Sequence, residues 1–512
     1  MNIRNAKLSD IHLIYENRMV KQSGIVHLEE LMLSGNFSTQ KFNLKSTAEL
    51  KIEFLNTKEG ELLSGRSLAY EAEAKVDLDK GEYVLKNTNL YIEANKFTVD
   101  GTVTSQAEFT NFDVSLKGVD GSLSSVISLL PKNQITFLED FNTRGNFYVN
   151  TNIKGQLGKD ELPAIDLKFG LKDGYLNSKQ LNNELTNVSF EVRFENRVKS
   201  LGKKDFVEMT KFEGELLGEK LIGSLYVEDF ENPLIDLRFE GKLPMEAVFG
   251  FFGENLVESG SGAMEFKNIR IEGYYNDMLS MARIPKIKAN GLITFQNMNL
   301  DIRGEKVSLG KGDIFINDNN LQINNIELEV AQNDLKFEGS FQNLLPVLLR
   351  DSTTTDDVKL IFNTKMLSEK IDLNKLLAFI EKVQHTPEKE LKEIPKPETL
   401  TEKGNVTASP YYDFLKLFDG DFQVKFGNFN YDNIKAQDGS GNLTVENGRV
   451  LLQNVNIADF EYDKIVAKDF RGDLAFQGKM MILKNVSVKT MGGEIKLTSN
   501  VFWRTNPTWM VS

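Results

Sequence analysis

Along most of the chain, apolar residues fall at every second position. FNLKSTAELKIEF (42–54), NLYIEANKFTVDGTVT (89–104), PAIDLKFGLKDGYL (163–176), NVSFEVRFE (187–195) and IELEVAQNDLKFEGSF (326–341) all read this way. A period of two places alternate side chains on one face of a pleated strand, so each run predicts a half-buried β-strand. Turn residues separate the runs, as in Lys80-Gly81, Gln332-Asn333-Asp334 and Asn447-Gly448. Four stretches break the alternation and predict short helices: 118–131, 241–254, 343–350 and 371–384.

The alternation carries a recurrent slip. GDIFINDNNLQINNIEL (312–328), GNLTVENGRVLLQNVNI (441–457) and GDLAFQGKMMILKNVSV (472–488) share one spacing. Counted from the leading glycine as zero, apolar residues stand at +2, +4, +9, +11, +14 and +16, with Asn at +13. The first copy supplies Ile314, Ile316, Leu321, Ile323, Ile326 and Leu328, with Asn325. The second supplies Leu443, Val445, Val450, Leu452, Val455 and Ile457, with Asn454. The third supplies Leu474, Phe476, Met481, Leu483, Val486 and Val488, with Asn485. A weaker fourth copy, counted from Ala74, runs through Val76, Leu78, Tyr83, Leu85, Asn87, Thr88 and Leu90. Such internal repeats mark stacked or extended architectures.

A two-residue turn at +6 and +7 sets +4 opposite +9 and +2 opposite +11 in an antiparallel pair. The step of three from +11 to +14 would then turn the apolar face outward in a regular strand. Two readings follow. Either Asn sits in a bulge that absorbs the extra residue and bends the strand, or a plain turn separates two strands. Both keep one face apolar. That face needs cover from a second layer, from the sheet curling on itself, or from a ligand. A curled sheet would leave a trough suited to acyl chains, because apolar burial is non-directional. The repeat residues named above are therefore the candidate lipid-facing positions.

One interruption stands out. HTPEKELKEIPKPETLTEKGNVTASP (385–410) is charged, Pro-containing and poor in apolar residues, and predicts a flexible linker. It divides the chain into a section over 1–384 and another over 411–512; the alternative is a long surface loop within one domain. Both termini break off within strand-like or apolar sequence, which predicts a fragment of a longer protein.

With 512 residues the chain exceeds the usual size of a single compact core. A net charge of −13 argues against nucleic acid as a partner, since phosphate recognition needs a basic face. There are no cysteines, which excludes disulfides, thiol catalysis and thiolate metal sites. The three histidines, His12, His27 and His385, are far apart in sequence and predict no multi-histidine metal site. Gly260-Ser261-Gly262 precedes a strand rather than the helix a phosphate loop needs. Asp318-Asn319-Asn320 lacks the glycine and glutamate of a calcium loop and predicts a hairpin turn. Gly492-Gly493 predicts a turn before Ile495. No nucleophile–base set assembles, so neither an enzyme nor a cofactor is expected. No run reaches the roughly 18 apolar residues of a membrane-spanning helix. An outer-membrane barrel or a secreted β-solenoid is a third reading; 2 Trp and 13 Tyr against 35 Phe speak against the aromatic girdles of a barrel.

Several stretches resemble the AsmA-like proteins of Gram-negative envelopes, particularly their C-terminal region. They are KLSDIHLIYEN and HLEELMLSGNFSTQKFNL within 7–44, SLKGVDGSLSSVISLLP (115–131), residues 312–349, residues 418–457 and LKNVSVKTMGGEIKL (483–497). The motifs are degenerate strand patterns, less specific than a catalytic signature. The resemblance implies an elongated, strongly curved, mainly β antiparallel sheet, a taco-like repeating groove. It also implies an N-terminal membrane anchor, which this chain does not contain, and exposure to the periplasm. The expected partners are phospholipid acyl chains and the inner and outer membranes or their proteins. The implied role is phospholipid transfer between the two membranes; the alternative is a scaffold for outer-membrane assembly whose apolar face is simply core.

Overall fold

The structure is a computed structural model. It describes residues 4–17, 22–57, 60–61, 65–93, 95–106, 109–121, 141–157, 163–178, 183–196, 204–248, 257–278, 283, 286–318, 320–343, 359–384, 418–477, 480–503 and 509–511. The fold is mainly β, and its residues divide into two compact units, Met1–Phe239 and Glu240–Ser512.

The first unit is an antiparallel meander. Its strands are β1 (Asn5–Asn17), β2 (Gln22–Ser34), β3 (Lys41–Thr57), a two-residue β4 (Gly60–Glu61), β5 (Arg66–Asp77), β6 (Glu82–Ile92) and β7 (Asn95–Ser105). They continue as β8 (Thr110–Gly121), β9 (Phe141–Leu157), β10 (Ala164–Ser178), β11 (Asn183–Asn196), β12 (Phe206–Leu216) and β13 (Glu219–Glu228). Each pairs with its neighbour in sequence, with β5 pairing β3 past the short β4. The core of this unit centres on Phe97, Phe147, Val149, Leu171 and Val188, which lie side by side along the sheet. A strand β14 (Leu234–Pro244) spans the division between the units.

The second unit opens with a one-turn helix α1 (Met245–Val248), then β15 (Val257–Tyr274) and a one-turn helix α2 (Tyr275–Met278). The strands β16 (Lys288–Ile302), β17 (Glu305–Asn317), β18 (Asn320–Val330), β19 (Asn333–Gln342) and β20 (Leu360–Asp372) follow, all antiparallel. Helix α3 (Leu373–Gln384) comes next. The sheet then resumes with β21 (Phe418–Tyr431), which pairs with β20 in parallel from Leu360↔Phe418 to Asp372↔Asn430. β22 (Ile434–Glu446), β23 (Arg449–Tyr462), β24 (Ile465–Gln477), β25 (Met480–Thr490), β26 (Gly493–Trp503) and β27 (Trp509–Val511) complete an antiparallel series. The expected linker, 385–410, lies outside the described residues. β20 and β21, the strands on either side of it, are hydrogen-bonded neighbours.

The Asn slips are bulges, not turns. Strands run unbroken through Asn87, Asn325, Asn454 and Asn485, whose φ angles are 47°, 48°, 52° and 52°. At each, three residues on the bulged strand span two on the next. Ile323 and Ile326 face Gly339 and Phe337; Leu452 and Val455 face Leu474 and Gly472; Leu483 and Val486 face Ser499 and Leu497. The device extends beyond the repeats. Asn187, Asn268, Asn297, Asp10, Asp173, Asp438 and Asp469 also have positive φ within strands. Among the described residues, every non-glycine with positive φ inside a strand is thus Asn or Asp, the side chains that best tolerate left-handed backbone.

The leading glycine belongs to the same device. A Cβ on Gly312 would lie 2.7 Å from Ile326 Cγ1 and 2.8 Å from its Cα, and one on Gly472 would lie 2.7 Å from Val486 Cγ2 and 2.8 Å from its Cα. The bulge presses the +14 residue against the +0 residue. In these two copies the slip therefore calls for the glycine. At Gly441 the nearest atom is 3.5 Å away, an ordinary contact.

Several local expectations are corrected. The fourth copy has a longer turn: Val76 pairs with Tyr83 and Ala74 with Leu85, so its frame is displaced by two residues before the bulge at Asn87. Residues 118–121 and 241–244 are strand, because their alternation continues the preceding runs; 122–131 and 249–254 lie outside the described residues. Asn343 ends the strand region, and 344–350 is likewise outside. Helix α3 starts at Leu373, after two strand residues. The turn expected at Gln332-Asn333-Asp334 sits one residue earlier. Ala331 and Gln332 carry its positive φ angles, and Asn333 is buried.

Candidate functional site

The repeat residues are brought together as expected from their spacing. Ile316 pairs with Leu321 and Ile314 with Ile323; Val445 pairs with Val450 and Leu443 with Leu452; Phe476 pairs with Met481 and Leu474 with Leu483. These pairs join into rows that run across the strands of the second unit. One row passes through Ile316, Leu321, Phe341, Phe362, Gly420, Val445, Val450, Phe476, Met481 and Val501. The next passes through Ile314, Ile323, Gly339, Thr364, Phe422, Leu443, Leu452, Leu474, Leu483 and Ser499. Beyond the bulges, Ile326, Phe337, Met366, Val424 and Gly441 form a third, continued by Val455 against Gly472 and Val486 against Leu497. Leu328 pairs with Leu335, Ile457 with Phe470, and Val488 with Ile495.

This face is neither a sealed core nor a fully wetted surface. Val445 and Val486 are buried at 6% exposure. Ile314, Ile316, Leu321, Ile323, Ile326, Leu328, Leu443, Val450, Leu452, Val455, Ile457, Leu474, Leu483 and Val488 are half-buried. Phe476 and Met481 are placed by backbone register alone. A sheet that packs its apolar face into a core buries such positions almost completely. The sequence reading missed the members of the rows on β19, β20 and β21: Phe337, Phe341, Phe362, Met366, Phe422 and Val424. Their alternation is plain, but they sit outside the repeat frame used to select candidates.

The opposite face is polar and laced with cross-strand ion pairs, such as Lys336–Glu327 at 2.9 Å, Lys365–Glu338 at 2.9 Å and Lys489–Asp469 at 2.7 Å. All are solvent-exposed, so each is worth at most about 1 kcal/mol. Together they define which face meets water.

Helix α3 covers one end of the apolar face. Leu376 and Phe379 pack on Val307, Val330, Leu335 and Ile371. The helix is pinned at both ends. Asp372 caps its start by accepting from the Lys375 N–H at 3.3 Å, and Arg303 donates to the Lys382 carbonyl at 2.6 Å. Buried Asn333 donates to the Val330 and Ala331 carbonyls and accepts from the Asp372 N–H, tying the β18–β19 turn to the helix start. Next to it, Asp334 would be raised in pKa by burial, but the N–H groups of Glu369 and Lys370 and the Ser368 hydroxyl hold it below the ordinary carboxylate value.

The chemical motifs resolve as structure. Gly260 to Gly262 lie within β15, with Gly262 at φ 89° against the Asn297 carbonyl. Asp318 begins the turn between β17 and β18, and Met491-Gly492 forms the turn before β26, both residues at positive φ. Two of the histidines that stand far apart in sequence meet in the fold. His12 and His27 are directly opposite on β1 and β2, with ring centroids 4.3 Å apart. Antiparallel pairing erases their separation in sequence; His385 lies outside the described residues.

Comparison of the sequence with protein-family models and with curated proteins returns no match. Among the described residues, no helix is long and apolar enough to cross a membrane.

Proposed function

We propose that the apolar face is an open groove for phospholipid acyl chains, in a segment of an AsmA-like envelope protein that passes phospholipid between inner and outer membranes. One observation carries the reading: the apolar rows continue from strand to strand, yet most of their described residues stay partly exposed. An acyl chain laid along them gains roughly 0.8 kcal/mol for each methylene fully removed from water, with no need for a specific contact. Rows of Ile, Leu, Val and Phe without fixed polar partners suit a ligand held by shape and hydrophobicity alone. The setting, at the periplasmic face of a Gram-negative envelope with anchorage to the inner membrane, rests on the resemblance described above.

The scaffold reading gains support at one place. Where α3 covers Val307, Val330 and Ile371, the face is closed and behaves as core. The two readings separate by experiment. Ile323→Lys and Phe422→Asp put a charge on the half-exposed rows, and Val330→Lys puts one under the helix. Native mass spectrometry after lipid extraction and circular dichroism are measured on the same proteins. On the groove reading, the first two stay folded and lose co-purifying phospholipid, whereas Val330→Lys loses structure. Folded Ile323→Lys and Phe422→Asp with undiminished lipid refute the groove. Unfolding of all three favours the scaffold.

A further inference from the structure

We propose that Asp10, His12 and His27 form a binding site for a divalent late transition-metal ion, with Zn²⁺ the ion best suited to it. The site lies on the polar side of β1 and β2, where Lys51 continues the pairing from His27 onto β3, and it stands independently of the groove. His12 and His27 are cross-strand partners with nearly parallel rings, tilted 13° from one another. His27 Nε2 is 2.9 Å from Asp10 Oδ1. One ligating atom from each of the three residues lies within 4.8 Å of the others. Ligands about 2.0–2.2 Å from a tetrahedral zinc stand roughly 3.4 Å apart, so small side-chain rotations close the set.

The bulge device supplies the third ligand. In β1 the apolar positions run Ala6, Leu8, Ile11, Leu13, with the same step of three found in the repeats. Asp10 occupies the slot of the repeat asparagines, with φ 58°, and the kink brings its carboxylate to the imidazoles. Glu53 on β3 is 3.7 Å from His12 Nε2 and can take the fourth position, which water otherwise fills. All four side chains reach solvent, so an ion has an entry path: His12 is 55% exposed and His27 27%.

The donor set selects the class of ion. Two imidazoles with a carboxylate suit Zn²⁺, Ni²⁺ or Cu²⁺; calcium and magnesium call for oxygen ligands, and copper(I) for thiolate or thioether. Bound there, the ion would clamp β1 to β2, and through Glu53 to β3.

The test is calorimetric titration of Zn²⁺ into the untagged full chain and into His12→Gln, His27→Gln, Asp10→Asn and His385→Gln. Asn at position 10 keeps the left-handed backbone accessible. We expect one ion per chain, affinity reduced at least tenfold in the first three variants, and no change in His385→Gln. Co²⁺ should give the intense visible band of a tetrahedral site in the wild type and lose it in His12→Gln and His27→Gln. Circular dichroism must show the variants folded; if a glutamine variant does not fold, Asp10→Asn with the cobalt spectrum decides. Absence of saturable binding, equal affinity in all five proteins, or loss only in His385→Gln overturns the proposal.

Discussion

Gly312→Ala tests the coupling between glycine and bulge most directly. The added methyl would meet Ile326 Cγ1 at 2.7 Å and Ile326 Cα at 2.8 Å. A side-chain atom can rotate away, but the Cα belongs to a strand hydrogen-bonded to β19 on its far side. The bulge must therefore flatten or the two strands must part. Overpacking of this kind costs about 1–3 kcal/mol. Gly441→Ala is the matched control. It has the same place in the repeat and its nearest neighbour is 3.5 Å away, so it should be neutral or slightly stabilising. Hydrogen exchange resolved to peptides spanning 312–330 reads the local opening equilibrium. At about 1.4 kcal/mol per factor of ten, the expected loss is a roughly 5- to 150-fold rise in opening for Gly312→Ala. Equal protection in the two alanine variants would refute the account of why glycine leads the repeat.

Asn454→Gly should leave stability within a few tenths of a kcal/mol, whereas Asn454→Val should cost about 1–2 kcal/mol in urea unfolding, because a β-branched side chain resists left-handed backbone. Asp334 and Asp419 should make the second unit acid-labile. Burial acts to raise both, but the backbone donors and Ser368 around Asp334, and Lys359 with the Asn447 N–H at Asp419, hold them below 3.8. A depressed folded pKa gives stability that is complete above the unfolded value and is lost as pH falls through the folded one. Asp334→Asn should thus lower stability at neutral pH by about 1–3 kcal/mol and flatten the loss on acidification, as followed by thermal melts across pH. The charge substitutions on the apolar rows and the zinc titration described above complete the set.

The strand content and the repeat register were legible because period two, two-residue turns and a fixed step of three leave little freedom once one face is apolar. Ile314↔Ile323 and Phe476↔Met481 follow from counting alone. The Asn bulges were legible as one of two options; the continuous pairing of β18 and β23 chose between them. The role of Gly312 was not, since a glycine before a strand looks like punctuation until the packing of Ile326 is seen. The aromatic rows through Phe341, Phe362 and Phe422 were hidden for a different reason: they depend on the β20–β21 pairing, which joins residues on either side of a long connection. His12 and His27 escaped notice because sequence distance is a poor guide across a hairpin, where residues 12 and 27 are neighbours.

The parallel step from β20 to β21 has a consequence for polarity. In a pure meander every added strand reverses direction, so β22, five strands beyond β17, would run opposite to it. One parallel neighbour restores parity. β17, β22 and β24 then all point the same way, and their ends at Asn317, Glu446 and Gln477 come out on one rim. The chain must cross back to achieve this. Lys382, beside Glu305 and Arg303, holds the end of α3 at the opposite rim from Phe418. A strand the length of β20, 13 residues at about 3.3 Å each, spans roughly 43 Å. Shortening the connection after Gln384 below about a dozen residues would therefore leave too little chain to close the distance even fully stretched. The repeats beyond it could then keep their places only by turning upside down.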